Sequence, residues 1–314
     1  MQRGKKAGPG TAANAAATAV VRDRLFAPIR ENRTVQGLLE SAGLQLRVAK
    51  RLAPRRGASL RERLGPLDDR FVFVLGSPRS GTTFLAGAIG SLPGFVDLGE
   101  VPPLKAAVPE LVDLPQPRAA ERLRKTLGLA RRVGLVGSVR PVEQTPEMAF
   151  LVDAAARAYP EARFVHAVRD GRDVVCSLLQ KSWLRATGNG RDDAGLPYGA
   201  YARFWVEPGR REEFAQASDA RRAAWVWRTH VSAARASSVE LVEVRYERLA
   251  SEPEVVAGEL AAALDAPASS LAPALAHAHS ASIGRFRSEL SPEQLADVLD
   301  EAGLLLEELG YLTG

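Results

Sequence analysis

The fold of this chain is constrained most by one stretch, Phe71–Thr83, which reads FVFVLGSPRSGTT. Its first five residues are apolar and prone to β structure, which predicts a buried strand of a parallel sheet. The glycines and hydroxyl residues that follow have the spacing of a phosphate-binding loop, G-x-x-x-x-G-K-[S/T]. A strand, a loop and a helix in this order predict a three-layer α/β/α fold with a central, mainly parallel sheet and a P-loop-like loop.

The loop departs from the usual phosphate loop in its cation. Thr82 stands in the position of the lysine, and Arg79 supplies a positive charge three residues earlier. Gly76 and Gly81 let the backbone N–H groups point at an anion, and the helix that follows adds the positive end of its dipole. The loop keeps Thr83 but lacks the lysine that ATP or GTP would need, so we expect an anionic ligand bound without a metal.

The composition is typical of a globular protein with a full core, since 46% of the 314 residues are hydrophobic and 25% are charged. The single cysteine, Cys176, excludes an internal disulfide and is expected in the core. The four histidines have no familiar zinc spacing, so no metal is expected. No apolar run approaches the ~20 residues that a membrane span needs, and a cytoplasmic location is expected.

The basic character of the chain belongs to its start. Residues 1–70 contain 15 Lys or Arg against 6 Asp or Glu, although the whole chain has a net charge of only +5. We expect a partly disordered, partly helical extension over residues 1–70, followed by a single domain over residues 71–314. The extension is either a solvated helical face or a weak contact for an anionic surface. Aromatic residues do not alternate with its charges, so specific nucleic-acid binding is not expected.

A second block with the same organisation is RFVHAVRDGRDVVCSLL at Arg163–Leu179. It predicts a buried strand, a tight turn and a helix. Arg169 stands at the end of the strand and Ser177 on the helix, so the two side chains can converge on one anion. The alternative is that Arg169 forms an ordinary surface pair with a neighbouring aspartate.

Between the two blocks, Glu100 follows a short predicted strand, Phe95–Leu98. We expect this strand to lie next to the phosphate-binding strand, so that Glu100 stands at the carboxyl end of a strand, where ligands of open α/β sheets bind. Glu100 is then a candidate general base, the alternative being an exposed glutamate in a turn. The proline-rich residues Val101–Pro117 are expected to be irregular and to lie over the site.

Taken together, the loop PRSGTT, the Arg169 block and the later segment RYERL resemble the sulfotransferases that use 3′-phosphoadenosine 5′-phosphosulfate (PAPS). The resemblance covers about residues 71–314 and is closest to the tyrosylprotein sulfotransferase-like and bacterial sulfotransferase group. It implies PAPS as co-substrate, 3′-phosphoadenosine 5′-phosphate (PAP) as product and no metal. The cofactor-binding residues that it implies are Arg79, Ser80, Gly81, Thr82, Thr83, Arg169, Ser177, Tyr246 and Arg285.

The resemblance also implies a role for each group. Glu100 is the base of the family's Gly-Glu pair, and Arg79 acts with it in catalysis by stabilising charge on the sulfuryl group. Arg169 and Ser177 hold the 3′-phosphate, and Tyr246 lies near the adenine. The residues themselves leave two alternatives open. A tyrosine at a strand end, such as Tyr246, can simply cap a core. Arg285 belongs to the segment SIGRFR, whose arginines can be solvated.

One position departs from the family. In the sequence EQTP, Gln144 stands where the resembling family has a lysine that neutralises the sulfuryl oxygens or the leaving phosphate. Either another cation, such as Arg140, substitutes for that lysine, or turnover is weaker than the family pattern implies. A helix is expected directly afterwards, from Glu147 to about Tyr159, with its proline in the first turn.

Aromatic residues are concentrated after the second block. Ser182–Glu213 mixes them with glycine and charge and is expected to be a lid that contacts the acceptor, unless its aromatics pack onto the domain. Trp225 and Trp227 lie on a predicted helix and are expected in the core.

The sequence therefore predicts transfer of a sulfuryl group from PAPS to an acceptor hydroxyl on a small molecule, glycan, lipid or peptide. Two alternatives stay open. A P-loop kinase-like nucleotide enzyme would need Mg²⁺ and a lysine near the γ-phosphate. A non-catalytic anion-binding or scaffold protein would keep the loops without turnover.

Overall fold

The computed structural model describes residues 65–133, 136–181, 184, 203–278 and 280–312. In these ranges the chain forms five strands: β1 (Val72–Leu75), β2 (Phe95–Gly99), β3 (Arg140–Glu143), β4 (Arg163–Val168) and β5 (Val242–Arg245). The same ranges contain twelve α-helices: α1 (Thr82–Gly90), α2 (Pro102–Val112), α3 (Gln116–Val133), α4 (Val152–Ala158), α5 (Gly171–Leu179), α6 (Arg211–Gln216), α7 (Asp219–Arg235), α8 (Tyr246–Ser251), α9 (Pro253–Leu264), α10 (Ala268–Leu275), α11 (Phe286–Glu289) and α12 (Pro292–Glu308). Short 3₁₀ helices cover Pro146–Phe150, Pro208–Arg210 and Ser280–Ser282.

The strands form one parallel sheet in the order β2-β3-β1-β4-β5. The predicted α/β class with a central parallel sheet is confirmed. The expected neighbour of β1 is wrong, however, because β3 pairs with β1 through Val72 and Val142 and separates it from β2. The order in which strands are added reverses at β1, because β2 and β3 lie on one side of it and β4 and β5 on the other. Such a switch point is where ligands bind in open sheets.

Both faces of the sheet are covered by helices. Alternate residues of β1 point to opposite faces, so Phe73 packs with α2, α3 and α4, whereas Val74 packs with α1, α9 and α10. A third cluster joins α5, α7 and α12 around Trp225 and Trp227, which are fully buried as expected. Cys176 is also buried, as expected. The sheet is thus a rigid base, and its carboxyl edge is the place where loops can form a site.

Two expectations about irregular and helical segments need correction. Val101–Pro117 is not irregular, because α2 occupies Pro102–Val112. Its first two prolines lie in the opening turn, where a helix needs no N–H donors. The single helix expected from Glu147 to Tyr159 is interrupted at Leu151, whose φ of −126° lies outside the helical range. The final helix agrees with its signals, since Ser291 forms a capping box at its start.

Parts of the chain fall outside the described ranges. Of the predicted extension, residues 1–70, only residues 65–70 lie inside the described ranges. There Asp69 accepts hydrogen bonds from Arg124 and Arg131 of α3. Most of the expected lid, residues 182–183 and 185–202, also lies outside them. Phe204 and Trp205 pack against the tryptophan cluster, so the alternative of aromatics that pack onto the domain holds for these two. Among the helices that are described, none has the length and apolarity of a transmembrane helix.

Candidate active site

The loop that leaves β1, Gly76–Gly81, is called the glycine loop below. Its two glycines are needed because the backbone is crowded: a Cβ on Gly76 would lie 2.6 Å from the carbonyl oxygen of Ala167, and one on Gly81 would lie 2.8 Å from Cδ2 of Tyr246. Arg79 has a φ of 73°, which is uncommon for a residue with a side chain. Strain of this kind is typical of binding loops whose surroundings hold the backbone in place.

The glycine loop ends at the start of α1. Gly81 is the N-cap of this helix and offers no side-chain cap to the first N–H groups. Uncapped N–H groups at a helix N-terminus and a nearby arginine attract an anion by hydrogen bonds and by the helix dipole. The sequence forms this arrangement because the buried strand β1 fixes one side of the loop and the apolar face of α1 fixes the other.

The cations of the two sequence blocks meet at this loop. Nε of Arg79 donates to Oγ of Ser177 on α5 at 2.9 Å. Arg169, at the end of β4, donates through Nη1 to the carbonyl oxygen of Arg79 at 3.3 Å and through Nη2 to the carbonyl oxygen of Ser282. Arg169 does not form the surface aspartate pair considered above; Arg172 forms the pair with Asp170 instead.

Tyr246 closes the other side of the glycine loop. It begins α8, directly after β5, and the guanidinium of Arg169 stacks over its ring with a distance of 4.7 Å to the centroid. The hydroxyl of Ser282 donates to the Tyr246 hydroxyl at 3.4 Å. An aromatic ring held between a glycine and an arginine gives the site a flat apolar wall beside two cations.

The segment around Arg285 is anchored to α5. The carboxylate of Asp173, a buried residue of α5, accepts from the backbone N–H groups of Gly284 at 2.7 Å and Phe286 at 3.1 Å. The guanidinium of Arg285 itself pairs with Glu289, one helical turn further on, at 2.6 and 2.8 Å. This cation therefore lies beside the site while it is engaged by an exposed carboxylate.

These elements enclose a pocket of about 320 Å³, within the usual size range of small-molecule sites. Eight of the nine predicted cofactor-binding residues line it. The lining consists of Arg79, Gly81, Thr82, Thr83, Phe84, Arg169, Ser177, Tyr246, Ser282 and Arg285. The ninth, Ser80, belongs to the glycine loop but is buried, with 1% of its surface exposed. The structure thus brings together residues that are up to about 200 positions apart in the sequence.

Glu100 lies beside this pocket and does not line it. It follows β2, and 27% of its side chain is exposed. The residues after β3 contact both the residue next to Glu100 and the start of α1. The N–H of Val101 donates to Oγ1 of Thr145 at 3.2 Å, and the hydroxyl of Thr83 donates to Oε1 of Gln144 at 3.3 Å. Because β3 lies between β1 and β2, Gln144 bridges the candidate base and the candidate donor pocket.

Arg140 cannot replace the family's lysine from where it lies. It begins β3, at the opposite edge of the sheet from Gln144, and donates to the carbonyl oxygens of Arg70 and Leu264. Its guanidinium stacks over Phe95 at 4.6 Å from the ring centroid. The expectation that Arg140 could substitute is therefore wrong, because the length of a strand separates the two ends of β3.

Sequence reasoning missed Lys105, which lies on α2 with 8% of its side chain exposed. Its Nζ is 2.8 Å from Oε2 of Glu100 and 3.9 Å from Oε1 of Glu147. Lys105 stands five residues after Glu100, and the expectation of an irregular segment gave no reason to place their side chains together.

Two buried carboxyl groups accompany this lysine. Burial raises the pKa of Glu143 to about 8, although Oε1 of its carboxyl accepts hydrogen bonds from the N–H and the hydroxyl of Thr145. Burial also raises the pKa of Glu147, against the opposing charges of Lys105 and Arg203. The surroundings of Glu100 are therefore a buried, mixed-charge cluster instead of a solvated turn.

Comparison with known families identifies part of this arrangement. The model of the sulfotransferase family matches residues 116–270, from α3 to α10. The matched region contains Gln144, Arg169, Ser177 and Tyr246, whereas the glycine loop and Glu100 precede it. None of the curated proteins matches the chain.

The solved structures that are similar to the chain include three sulfotransferases. The sulfotransferase domain from the curacin biosynthetic pathway is 17% identical with a TM-score of 0.47, and the alignment covers 77% of this chain and 98% of that domain. Sulfotransferase STF9 from Mycobacterium avium is 15% identical with a TM-score of 0.44 and coverages of 84% and 81%. Mouse sulfotransferase SULT7A1, solved with PAP, is 14% identical with a TM-score of 0.45 and coverages of 82% and 95%. Likenesses this distant assign no substrate and no residue role to this chain.

Proposed function

Because the model of the sulfotransferase family matches residues 116–270 of the chain, we propose that it transfers a sulfuryl group from PAPS to an acceptor hydroxyl, with Glu100 as the general base. The observation that supports this proposal most is the single pocket that joins Arg79, Arg169, Ser177 and Arg285. Three cations and a hydroxyl around one cavity suit a ligand with two separate anionic groups.

The donor groups of the pocket fit the two anionic ends of PAPS. The N–H groups of the glycine loop and the guanidinium of Arg79 would hold the 5′-phosphosulfate. Arg169 and Ser177 would hold the 3′-phosphate, with Tyr246 against the adenine. Within the described residues, the buried Nε of Arg169 has no hydrogen-bond partner, so this arginine retains a donor for a ligand.

Arg285 would join the 3′-phosphate site only after a local exchange of partners. Its guanidinium pairs with Glu289 and is largely, though not wholly, shielded, since 21% of its side chain is exposed. The Glu289 carboxylate of this i,i+4 pair is exposed to solvent, which weakens the pair, so a phosphate can compete for the guanidinium. Of the proposed donor contacts, that of Arg285 is therefore the one that depends on rearrangement.

The chemistry assigned to Glu100 balances as an in-line substitution at sulfur. The acceptor oxygen forms a new bond to sulfur, the bond between sulfur and the bridging phosphate oxygen breaks, and PAP leaves with that electron pair. The proton of the acceptor hydroxyl passes to the carboxylate of Glu100. Arg79 and the N–H groups of the glycine loop stabilise the charge that develops on the sulfuryl and bridging oxygens.

The proposal is tested by the release of PAP from PAPS in the presence of hydroxyl acceptors of four kinds: a phenol, a sugar, a lipid alcohol and a tyrosine peptide. With an acceptor in hand, Glu100→Gln should lower kcat by about 10²- to 10⁴-fold and leave PAP binding unchanged. The matched control is Glu110→Gln, which changes an exposed glutamate paired with Arg122. Full turnover by Glu100→Gln would reject the assigned base, and activity with Mg·ATP alone would favour the kinase alternative.

A further inference from the structure

Lys105 is the buried cation that contacts the candidate base. Its ammonium lies 2.8 Å from Oε2 of Glu100 and 3.9 Å from Oε1 of Glu147. The side chains of Lys105 and Glu147 are 8% and 4% exposed, whereas that of Glu100 is 27% exposed. One carboxylate of this trio thus faces solvent in part, and the other two members are enclosed.

The position of Lys105 needs an explanation beyond packing. Removing an ammonium group from water costs desolvation free energy. Its attraction to buried carboxylates offsets that cost only when the geometry of the ion pair is good. Here α2 begins two residues after Glu100, and its Lys105 contacts the Glu100 carboxylate. The ammonium lies between the enclosed carboxylate of Glu147 and the partly exposed carboxylate of Glu100.

The neighbouring position 144 does not supply a charge. Gln144 is neutral, and its Oε1 accepts the hydroxyl of Thr83. Arg140 lies at the other end of β3. Lys105 supplies a positive charge beside Glu100 from α2, a helix that contributes no residue to the lining of the donor pocket.

We propose that Lys105 is a positioning residue for the sulfuryl transfer: anchored by Glu147, its ammonium fixes Oε2 of Glu100 and so leaves Oε1 to receive the acceptor's proton. When Glu100 takes up that proton, the ammonium remains paired with Glu147, and no new unpaired cation is left in the interior. This inference rests on the proposed function, because it assigns a role within the same reaction.

The test compares Lys105→Met with the wild type in PAP release. Lys105→Met should lower kcat by on the order of 10- to 100-fold, the loss expected when a catalytic group is displaced without being removed. The KM for PAPS and the shift in Tm that PAP produces should stay within about twofold of the wild type, since Lys105 does not line the donor pocket. Lys125→Met is the matched control, because Lys125 forms an exposed pair with Glu121 on α3.

The decisive comparison is made in the Glu100→Gln background. A residue that acts only through Glu100 should cause no further loss of kcat once that carboxylate is gone. A further loss as large as that in the wild type would overturn the inference, because it would show a structural role or an independent one. Lys105→Arg, which keeps the charge, should recover part of the activity, and a result no better than Lys105→Met would also contradict it.

Two further measurements distinguish a failure of this role from a failure to fold and from a failure of the proposed function. If Lys105→Met does not fold, the double variant Lys105→Met/Glu147→Gln removes the charges in pairs and should show the same fall in kcat. Full activity of that double variant would reject the role. A wild type that transfers no sulfuryl group to any acceptor would reject the proposed function and this role with it, whereas an active wild type with a fully active Lys105→Met would reject this role alone.

Discussion

Nε of Arg79 lies 2.9 Å from Oγ of Ser177, although the two residues are 98 positions apart in the sequence. This hydrogen bond joins the glycine loop after β1 to the helix after β4. It places the two proposed anion sites on either side of the switch point of the sheet, so one ligand can reach both.

Ser177→Ala should weaken PAP binding by roughly 10- to 100-fold, because a hydrogen bond to a charged group contributes about 1.5–3 kcal/mol. Isothermal titration calorimetry measures the change. Binding of AMP, which has no 3′-phosphate, should be unaffected by the same substitution. Ser288→Ala, at an exposed serine of α11, is the control. Equal losses for PAP and AMP would contradict the assignment of Ser177 to the 3′-phosphate.

Gly81→Ala and Gly87→Ala should have opposite effects on stability. At Gly81 the new Cβ would lie 2.8 Å from Cδ2 of Tyr246 and the backbone has a φ of 91°, so the substitution should cost about 1–3 kcal/mol and weaken PAP binding. At Gly87, inside α1, a Cβ would meet nothing within 4 Å, and alanine should add about 0.5–1 kcal/mol. Urea denaturation of both variants measures this, and a Gly81→Ala as stable as Gly87→Ala would show that the loop is not tightly held.

Gln144→Lys should raise turnover roughly 3- to 10-fold, because a charged donor adds on the order of 1 kcal/mol over a neutral one to a hydrogen bond with an anion. The measurement is kcat for PAP release at saturating PAPS. The same change at Gln180, an exposed residue at the end of α5, is the control and should have no effect. Unchanged turnover in folded Gln144→Lys would mean that residue 144 does not face the transferring group.

Glu143→Gln should become more stable than the wild type as the pH rises. The pKa of Glu143 is raised by burial from 4.5 to about 8, so between these values the folded state keeps a proton that the unfolded chain has lost. The free energy of unfolding contributed by this group therefore falls as the pH increases, by up to roughly 1.4 kcal/mol per pH unit. Glutamine has no such titration. Denaturation of both proteins from pH 5 to 8 measures the difference, and a difference that does not change with pH would contradict the burial of an ionisable group there.

The local parts of the site could be predicted because each is formed by one short, continuous sequence motif. The strand, glycine loop and helix at Phe71–Thr83 and the block at Arg163–Leu179 are each continuous in the sequence, and the structure places them as expected. Arg79 and Ser177 come together because the two blocks contain adjacent strands of the sheet, β1 and β4. Their roles toward PAPS stay predictions.

The order of the strands in the sheet could not be predicted from the sequence in the same way. The insertion of β3 between β1 and β2 depends on which strands pair, and nothing in the short run at Arg140–Glu143 specifies its neighbours. This insertion places Gln144 between the base and the donor pocket. Lys105 was missed for a different reason: the prolines of α2 were interpreted as marks of an irregular segment, although two of them begin the helix.

The central claim is tested most directly by the Tm of the purified protein with PAP, AMP and Mg·ATP, each added separately. A ligand that binds the folded state at ~100 times its Kd adds about 2.7 kcal/mol, which is a readily measured shift in Tm. The account predicts a clear rise with PAP in the absence of Mg²⁺ and a smaller one with AMP. A larger rise with Mg·ATP, or no rise with any of the three, would contradict it.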